Sequence, residues 1–210
     1  LEAARGLYAI VDPQACAGAP ADVARAILAG GCAVLQLRDK RSSSDRALLA
    51  LALELRALCD RARVPFVVDD RVDIAVLAKA DAVHLGQLDL TLADARRIAP
   101  QLPVGISTHD LTQLDAALAA GAAYVGFGPV FPTRSKEDPD PVVGVAGLAA
   151  ASARSSVPVV GIGGIDVARA PEVVASGARF GAAISALCAS SDPRAAAAAL
   201  HAALRGEPIY

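Results

Sequence analysis

Short β-rich runs alternate with Ala- and Leu-rich helical runs from one end of the chain to the other. The β-rich runs recur roughly every 25 residues, which leaves room for one helix in each interval. Strict alternation implies right-handed crossovers between parallel strands, and eight such units in 210 residues favour a closed barrel over an open sheet. We therefore predict an α/β fold, a single (β/α)8 TIM barrel over residues 1–210, with strands at Leu7–Val11, Ala33–Leu37, Pro65–Val68, Ala82–Leu85, Val104–Ile106, Tyr124–Phe127, Pro158–Ile162 and Arg179–Ile184.

The segment Ser44–Ala62 has the clearest helical pattern. Its leucines recur at three- and four-residue steps, with charged residues on the remaining faces. Ser44 is a residue type that caps helix N-termini. We therefore predict an amphipathic helix here, capped by Ser44 or a neighbour and packed on the sheet through Leu48, Leu51, Leu55 and Leu58.

Composition excludes several classes of partner. The formal net charge of −2 gives no positive potential to attract nucleic-acid phosphates. With 3% aromatic residues, the chain also has few side chains on which bases could stack. No uninterrupted apolar run reaches the ~18 residues of a membrane span, and the first residues lack a secretory pattern. The four cysteines form no C-x-x-C pair, which is typical of reduced thiols in a cytosolic protein. We predict a cytoplasmic protein that contacts neither nucleic acid nor membrane.

Polar groups and glycines follow seven of the eight predicted strands. Active sites of TIM barrels lie at the C-terminal ends of the strands, so these residues are expected to meet at one mouth. The opposite face offers mainly turn glycines and alanines. The candidates at the mouth are Gln36, Arg38, Lys40, Asp69, Asp70, Gln87, Asp89, Ser107, His109, Thr133, Ser135, Lys136, Gly161, Gly163, Gly164 and Ser185.

Two cations project from the second strand. Gln36, Arg38 and Lys40 share one face because side chains alternate along a strand. Arg offers a planar fork for phosphate and Lys a point charge, and Lys136 adds a third cation at the same rim. These residues predict an anionic substrate; the alternative is that the cations only pair with nearby aspartates.

Asp70 and Asp89 end neighbouring predicted strands and are expected to converge. Two carboxylates beside phosphate-binding cations suit Mg2+, which takes one or two carboxylates together with phosphate oxygens and water. A general-base role, or salt bridges with Arg71 or Arg38, are the alternatives. The pair therefore predicts a magnesium site.

A second anion site is predicted at the end of the barrel. Gly163 and Gly164 follow strand seven and Ser185 follows strand eight, where such barrels bind phosphate through backbone amides. The proline-containing connection Gly128–Val143 is long and polar, as functional lids are. Two phosphorylated substrates, or one substrate with two charged ends, would fit this mouth.

Six segments in order resemble the thiamine phosphate synthase family, over nearly the whole chain. They are Gln36-Leu37-Arg38-Asp39-Lys40, Asp69-Asp70-Arg71-Val72-Asp73, His84-Leu85-Gly86-Gln87, Gly105-Ile106-Ser107-Thr108-His109, Gly128-Pro129-Val130-Phe131-Pro132-Thr133 and Gly161-Ile162-Gly163-Gly164-Ile165. The resemblance implies a transferase that joins 4-amino-2-methyl-5-pyrimidinylmethyl diphosphate to 4-methyl-5-(2-phosphoethyl)thiazole, in its phosphate or carboxylate form. The products would be thiamine phosphate and pyrophosphate.

The resemblance also implies roles for individual residues. Arg38, Lys40 and Lys136 would stabilise the departing pyrophosphate in a dissociative reaction, and Asp70 and Asp89 would bind Mg2+. The pyrimidine diphosphate would be bound by Gln36, Arg38, Lys40, Asp69, Ser107 and Lys136, and the thiazole phosphate by Thr133, Ser135, Gly164, Ile184 and Ser185. A homo-oligomer is possible.

One departure and three alternatives accompany this resemblance. The family usually has Asn where this chain has Asp69, and an ionised Asp cannot donate to a phosphate oxygen. A related thiazole tautomerase would need a positioned acid/base, which His109 could supply. A non-catalytic thiamine phosphate binding protein could lose the metal pair, and a generic phosphosugar barrel would leave the strand-two cations unexplained. Retention of Arg38, Lys40, Asp70 and Asp89 together favours the synthase.

Overall fold

Eight parallel strands close into one barrel in sequence order. The structure is a computed structural model, and it describes residues 4–40, 44–133 and 140–208. The predicted TIM barrel is therefore confirmed. The strands are β1 (Gly6–Val11), β2 (Val34–Leu37), β3 (Phe66–Asp69), β4 (Ala82–Leu85), β5 (Val104–Thr108), β6 (Tyr124–Phe127), β7 (Val159–Gly161) and β8 (Phe180–Ala183).

Helices follow the strands around the outside of the barrel. They are α1 (Pro20–Gly30), α2 (Asp45–Ala62), α3 (Val72–Leu77), α4 (Leu92–Ile98), α5 (Leu111–Ala119), α6 (Gly144–Arg154), α7 (Ala170–Ala175), α8 (Ser185–Cys188) and α9 (Pro193–Ala203). The predicted helix after strand two is confirmed as α2, and the Ser44 hydroxyl caps it by accepting from the Ala47 N–H at 3.2 Å. Within the described ranges, no helix is long and apolar enough to cross a membrane.

Side-chain alternation divides the apolar residues into two layers. Leu35 and Leu37 belong to the outer layer between strands and helices, whereas Val34 points into the barrel with Tyr8 and Tyr124. Burial of each large apolar side chain stabilises the fold by about 1.5–3 kcal/mol. The interior layer fills the lower part of the barrel, so the polar residues farther along each strand are left to line the mouth.

Some strand ends differ from the prediction, and two of these differences affect the mouth. β5 continues through Thr108 instead of ending at Ile106, so Ser107 lies within a strand and is held by the sheet ladder. β3 likewise includes Asp69. Both residues are therefore fixed by backbone pairing, which positions a side chain more rigidly than a loop does.

Candidate active site

A cavity of about 640 Å³ opens at the C-terminal ends of the strands. Most of the candidate site residues line it: Gln36, Arg38, Lys40, Asp69, Asp70, Ser107, Thr133, Gly164, Ile184 and Ser185. Asp89 lies at its edge, where its carboxylate is 3.7 Å from Lys40 Nζ. Ser135 and Lys136, with the central part of the predicted lid, lie outside the described residues. The described candidates therefore share one site.

Arg38 lies between two carboxylates. Its Nη1 donates to Asp12 Oδ2 at 2.5 Å, and its Nε lies 3.8 Å from Asp69 Oδ2. The sequence prediction missed Asp12, although this residue directly follows the predicted strand one and so completes the ring of polar strand ends. The guanidinium is positioned before any substrate arrives, since both of its partners are largely buried.

Lys40 is surrounded by carboxylates. Its ammonium contacts Asp70, and it lies 3.8 Å from Asp69 and 3.7 Å from Asp89. Burial lowers the pKa of Lys40, but the neighbouring carboxylates outweigh burial and raise the pKa above its usual value. The predicted alternative, pairing of the cations with aspartates, is thus present in the ligand-free protein, and an entering phosphate would have to compete with these pairs.

Asp70 has an unusual backbone and an unpartnered oxygen. Its φ of 61° is left-handed, a conformation that Asp tolerates and that recurs at functional sites. Its Oδ1 is buried without a hydrogen-bond partner among the described residues. The alternative salt bridge with Arg71 is not formed, because Arg71 binds Asp45 and Asp73 at 2.7 and 2.6 Å. A buried, unsatisfied carboxylate oxygen is the feature expected of a cation ligand.

The carboxyl groups of Asp70 and Asp89 converge as expected: each shifts the pKa of the other, and Lys40 Nζ contacts Asp70 and lies 3.7 Å from Asp89. Burial and the contact with Asp89 raise the pKa of Asp70. Burial also opposes ionisation of Asp89, but the contact with Asp70 and the Gly86 N–H, 2.7 Å from Oδ2, lower its pKa overall. Two carboxyl groups therefore lie side by side at the mouth, and each could offer an oxygen to a divalent cation.

Asp69 is buried at the end of β3, and its Oδ1 accepts from Gln36 Nε2 at 2.6 Å. Burial, followed by the charge of Asp70, raises the pKa of Asp69 to about 7, although Lys40 and Arg38 act in the opposite direction. The ionised carboxylate is therefore unfavourable in the metal-free protein.

Replacing Asp69 with Asn is expected to stabilise the metal-free protein in a pH-dependent way. A carboxyl whose folded-state pKa is raised binds more protons in the folded than in the unfolded chain between pH ~4 and ~7, so it lowers the free energy of unfolding as pH rises. Asn keeps the acceptor for Gln36 and removes this cost. We expect the Tm of Asp69→Asn to match wild type near pH 4 and to exceed it at pH 8 in melts with EDTA. An equal difference at both pH values would contradict the raised pKa.

The predicted thiazole phosphate site is built on the loop after β7. Gly163 and Gly164 have φ of 90° and 67°, and a Cβ on Gly164 would lie 2.6 Å from the Pro132 carbonyl oxygen. Arg169, which the sequence prediction missed, donates to the Gly164 carbonyl at 2.5 Å and stacks over Phe131 at 4.9 Å. Only glycine fits this close approach, and Arg169 joins the loops after β6 and β7.

Two histidines contact the cavity from neighbouring strands. His84 Nε2 lies 2.8 Å from Ser107 Oγ, and its Nδ1 lies 3.1 Å from the Tyr124 hydroxyl. His109 Nδ1 donates to the Gly128 carbonyl at 2.5 Å, and its Nε2 lies 3.2 Å from Asp140. Both ring nitrogens of His109 thus lie close to groups of the segment that follows β6.

Comparisons with known proteins agree on one family. The family model for thiamine monophosphate synthase matches residues 7–187. The thiamine-phosphate synthase of Methanocella arvoryzae is 45% identical over 198 residues, covering 93% of both chains. That of Chloroflexus aurantiacus is 42% identical over 197 residues, covering 93% of this chain and 91% of its own.

A solved structure extends the agreement from sequence to the whole fold. The thiamine phosphate pyrophosphorylase from Pyrococcus furiosus superposes with a TM-score of 0.88 at 34% identity, and the match covers 96% of both chains. The similarity therefore extends over nearly the whole barrel. The barrel, the residues at its mouth and these relatives together establish that the chain belongs to the thiamine-phosphate synthase family.

Proposed function

We propose that the chain joins 4-amino-2-methyl-5-pyrimidinylmethyl diphosphate to 4-methyl-5-(2-phosphoethyl)thiazole and releases pyrophosphate. If the thiazole enters in its carboxylate form, carbon dioxide is released as well. The observation that carries the proposal is a single cavity lined by two different groups of residues suited to bind anions. Arg38 and Lys40 lie among carboxylates on one side, and the Gly163-Gly164 turn and Ser185 lie on the other. Two phosphorylated substrates would therefore face each other.

The charge balance on the cationic side supports a requirement for Mg2+. Among the described residues there, two cations face four carboxylates, so the cluster is net negative when all are ionised: Arg38, Lys40, Asp12, Asp69, Asp70 and Asp89. Burial and neighbouring carboxyls raise the pKa of Asp69 and of Asp70, so further negative charge from a diphosphate would be unfavourable here without a cation. Asp70 and Asp89 fit the ion through the unpartnered Oδ1 of Asp70 and through the closeness of the two carboxyl groups. When bound, Mg2+ would supply charge to neutralise the diphosphate oxygens.

The residues would act mainly by positioning and electrostatics. As the bond between the pyrimidine methylene carbon and the diphosphate oxygen breaks, Arg38, Lys40 and, by sequence, Lys136 would stabilise the departing pyrophosphate. The electron-rich aminopyrimidine would stabilise the methylene cation until the thiazole nitrogen forms the new carbon–nitrogen bond. Thr133, Ser185 and the Gly164 turn would hold the thiazole phosphate, and no protein nucleophile is needed.

The alternative functions are less well supported. A thiazole tautomerase would need a positioned acid or base, which His109 could supply, but it would not need the cations Arg38 and Lys40 or the carboxyls of Asp70 and Asp89. A non-catalytic binding protein would have no use for the adjacent Asp70 and Asp89 carboxyls. A cytoplasmic location and a homo-oligomer stay predictions.

An activity assay tests the proposal. Purified protein with both substrates and Mg2+ is expected to form thiamine phosphate and pyrophosphate in equal amounts, and EDTA should abolish both. Reactions that lack one substrate serve as controls. Isomerisation of the thiazole carboxylate without pyrophosphate would identify a tautomerase, and binding without turnover in folded protein would identify a binding protein; either result would overturn the proposal.

A further inference from the structure

A chain of hydrogen-bonding groups runs from the barrel floor to the candidate active site. The Tyr8 hydroxyl lies 2.9 Å from the Tyr124 hydroxyl, which lies 3.1 Å from His84 Nδ1. His84 Nε2 lies 2.8 Å from Ser107 Oγ at the cavity. Tyr8, Tyr124 and His84 are all buried, and the Tyr124 and His84 rings stack with centroids 5.5 Å apart. The proposed reaction uses Ser107 but assigns nothing to the three residues behind it.

The donor and the acceptor of each hydrogen bond in this series can be assigned from the positions of the protons. Burial raises the pKa of Tyr8 and of Tyr124, so both phenols keep their protons and each must donate one hydrogen bond. Tyr124 is the acceptor that the described residues offer to the Tyr8 hydroxyl. The Tyr124 proton then points to His84 Nδ1. The opposite direction would leave the buried Tyr8 hydroxyl without an acceptor among the described residues, which is unfavourable.

The direction determines the histidine tautomer. A Nδ1 that accepts from Tyr124 carries no proton, so the neutral ring carries its proton on Nε2 and donates to Ser107 Oγ. Because Ser107 already accepts this bond, its own hydroxyl proton is directed to another acceptor. Ser107 lines the cavity, so a ligand bound there can supply that acceptor.

We propose that Tyr8, Tyr124 and His84 are positioning residues that present Ser107 to the pyrimidine diphosphate as a hydrogen-bond donor. The identity of this ligand rests on the proposed function, whereas the donor–acceptor direction of the hydrogen bonds does not. The ligand atom that Ser107 recognises is a hydrogen-bond acceptor, such as a ring nitrogen or a diphosphate oxygen. Because buried groups hold the Ser107 hydroxyl in its orientation, no free energy is spent on reorienting it when the substrate binds.

The neighbouring strand is shaped for this arrangement. Gly105 pairs with Tyr124 across β5 and β6, and a Cβ on Gly105 would lie 2.1 Å from Tyr124 Cζ. The ring therefore occupies the space above a glycine in the same strand as Ser107. Tyr124 is held by the sheet on one side and by the Tyr8 hydroxyl and His84 ring on the others.

Nitrogen-15 NMR of the ligand-free protein tests the tautomer directly, whether or not the protein is active. The chain has 3 histidines, so His84 can be assigned by comparison with His109→Gln and His201→Gln variants. We expect the Nε2–H tautomer in wild type and in Tyr8→Phe, and a mixture of tautomers in Tyr124→Phe. A wild-type His84 protonated on Nδ1 would overturn the proposal.

Kinetics test whether the effect passes through Ser107. Tyr124→Phe removes the hydroxyl. It should lower kcat/KM for the pyrimidine diphosphate about 10-fold, as expected for one hydrogen bond, and leave KM for the thiazole phosphate unchanged. In a Ser107→Ala background the same substitution should change kcat/KM less than about 2-fold. Equal losses in both backgrounds, or a loss confined to the thiazole phosphate, would contradict the positioning role. Tyr8→Phe is a milder second variant, with a smaller loss in the same direction.

Discussion

Replacement of Asp70 by Asn is expected to lower kcat/KM about 1000-fold while the fold is retained. Asn has the shape of Asp and also tolerates the left-handed backbone, φ 61°, found at this position. The amide lacks the negative charge that a divalent cation requires, and one lost electrostatic contribution of this kind is worth about 10²–10³-fold or more. The measurement is steady-state kinetics over a range of Mg2+ concentrations, with circular dichroism to verify folding.

Asp73→Asn is the matched control for this substitution. Asp73 lies three residues farther along the chain, and it pairs with Arg71 at the protein surface. Exposed ion pairs contribute little, so we expect less than about a 2-fold change in kcat/KM. Near-wild-type turnover by Asp70→Asn at low Mg2+ would rule out Asp70 as a metal ligand. Equal losses in the two variants would indicate a general effect of charge.

Replacement of Gly105 by Ala is expected to be the most destabilising single-methyl addition in the barrel interior, at roughly 3 kcal/mol or more. The new methyl carbon would lie 2.1 Å from Tyr124 Cζ and 2.4 Å from Cε1, and the buried ring is held in place by its contacts with Tyr8 and His84. Either the ring leaves its contact with His84 or the two strands separate. The free energy of unfolding from urea denaturation measures the loss.

Gly126→Ala provides a control on the adjacent strand. Gly126 pairs with Ser107, and a Cβ there would have its nearest neighbours at 3.5 Å, an ordinary van der Waals contact. We expect a change within about 1 kcal/mol, because this strand position accepts a methyl group without overpacking. If both alanine variants were equally stable, the close packing of Tyr124 on Gly105 would be wrong.

Local patterns were sufficient to predict the barrel and the location of its mouth. β4 and β6 have the predicted bounds, and α2 begins one residue after its Ser44 cap. Such elements follow from side-chain periodicity and capping, which depend on residues a few positions apart. The polar groups lie at the C-terminal ends of the strands because the strands are parallel. The sequence therefore predicted, without information on contacts, that most candidate residues share one cavity.

The partner of each polar group was decided only by the tertiary structure. Asp12 holds Arg38 across 26 residues of sequence, and Tyr8 meets Tyr124 across 116. Arg169 has no distinguishing sequence pattern, yet it binds the Gly164 carbonyl. Periodicity places a side chain on a face, but its hydrogen-bond partner depends on strand register and on distant residues that share the same low-dielectric space. The sequence by itself therefore determined the barrel and the chemical groups at its mouth. Closure of the barrel decided which charges are paired, which carboxyl oxygen is left unpartnered and which hydroxyl is held in place.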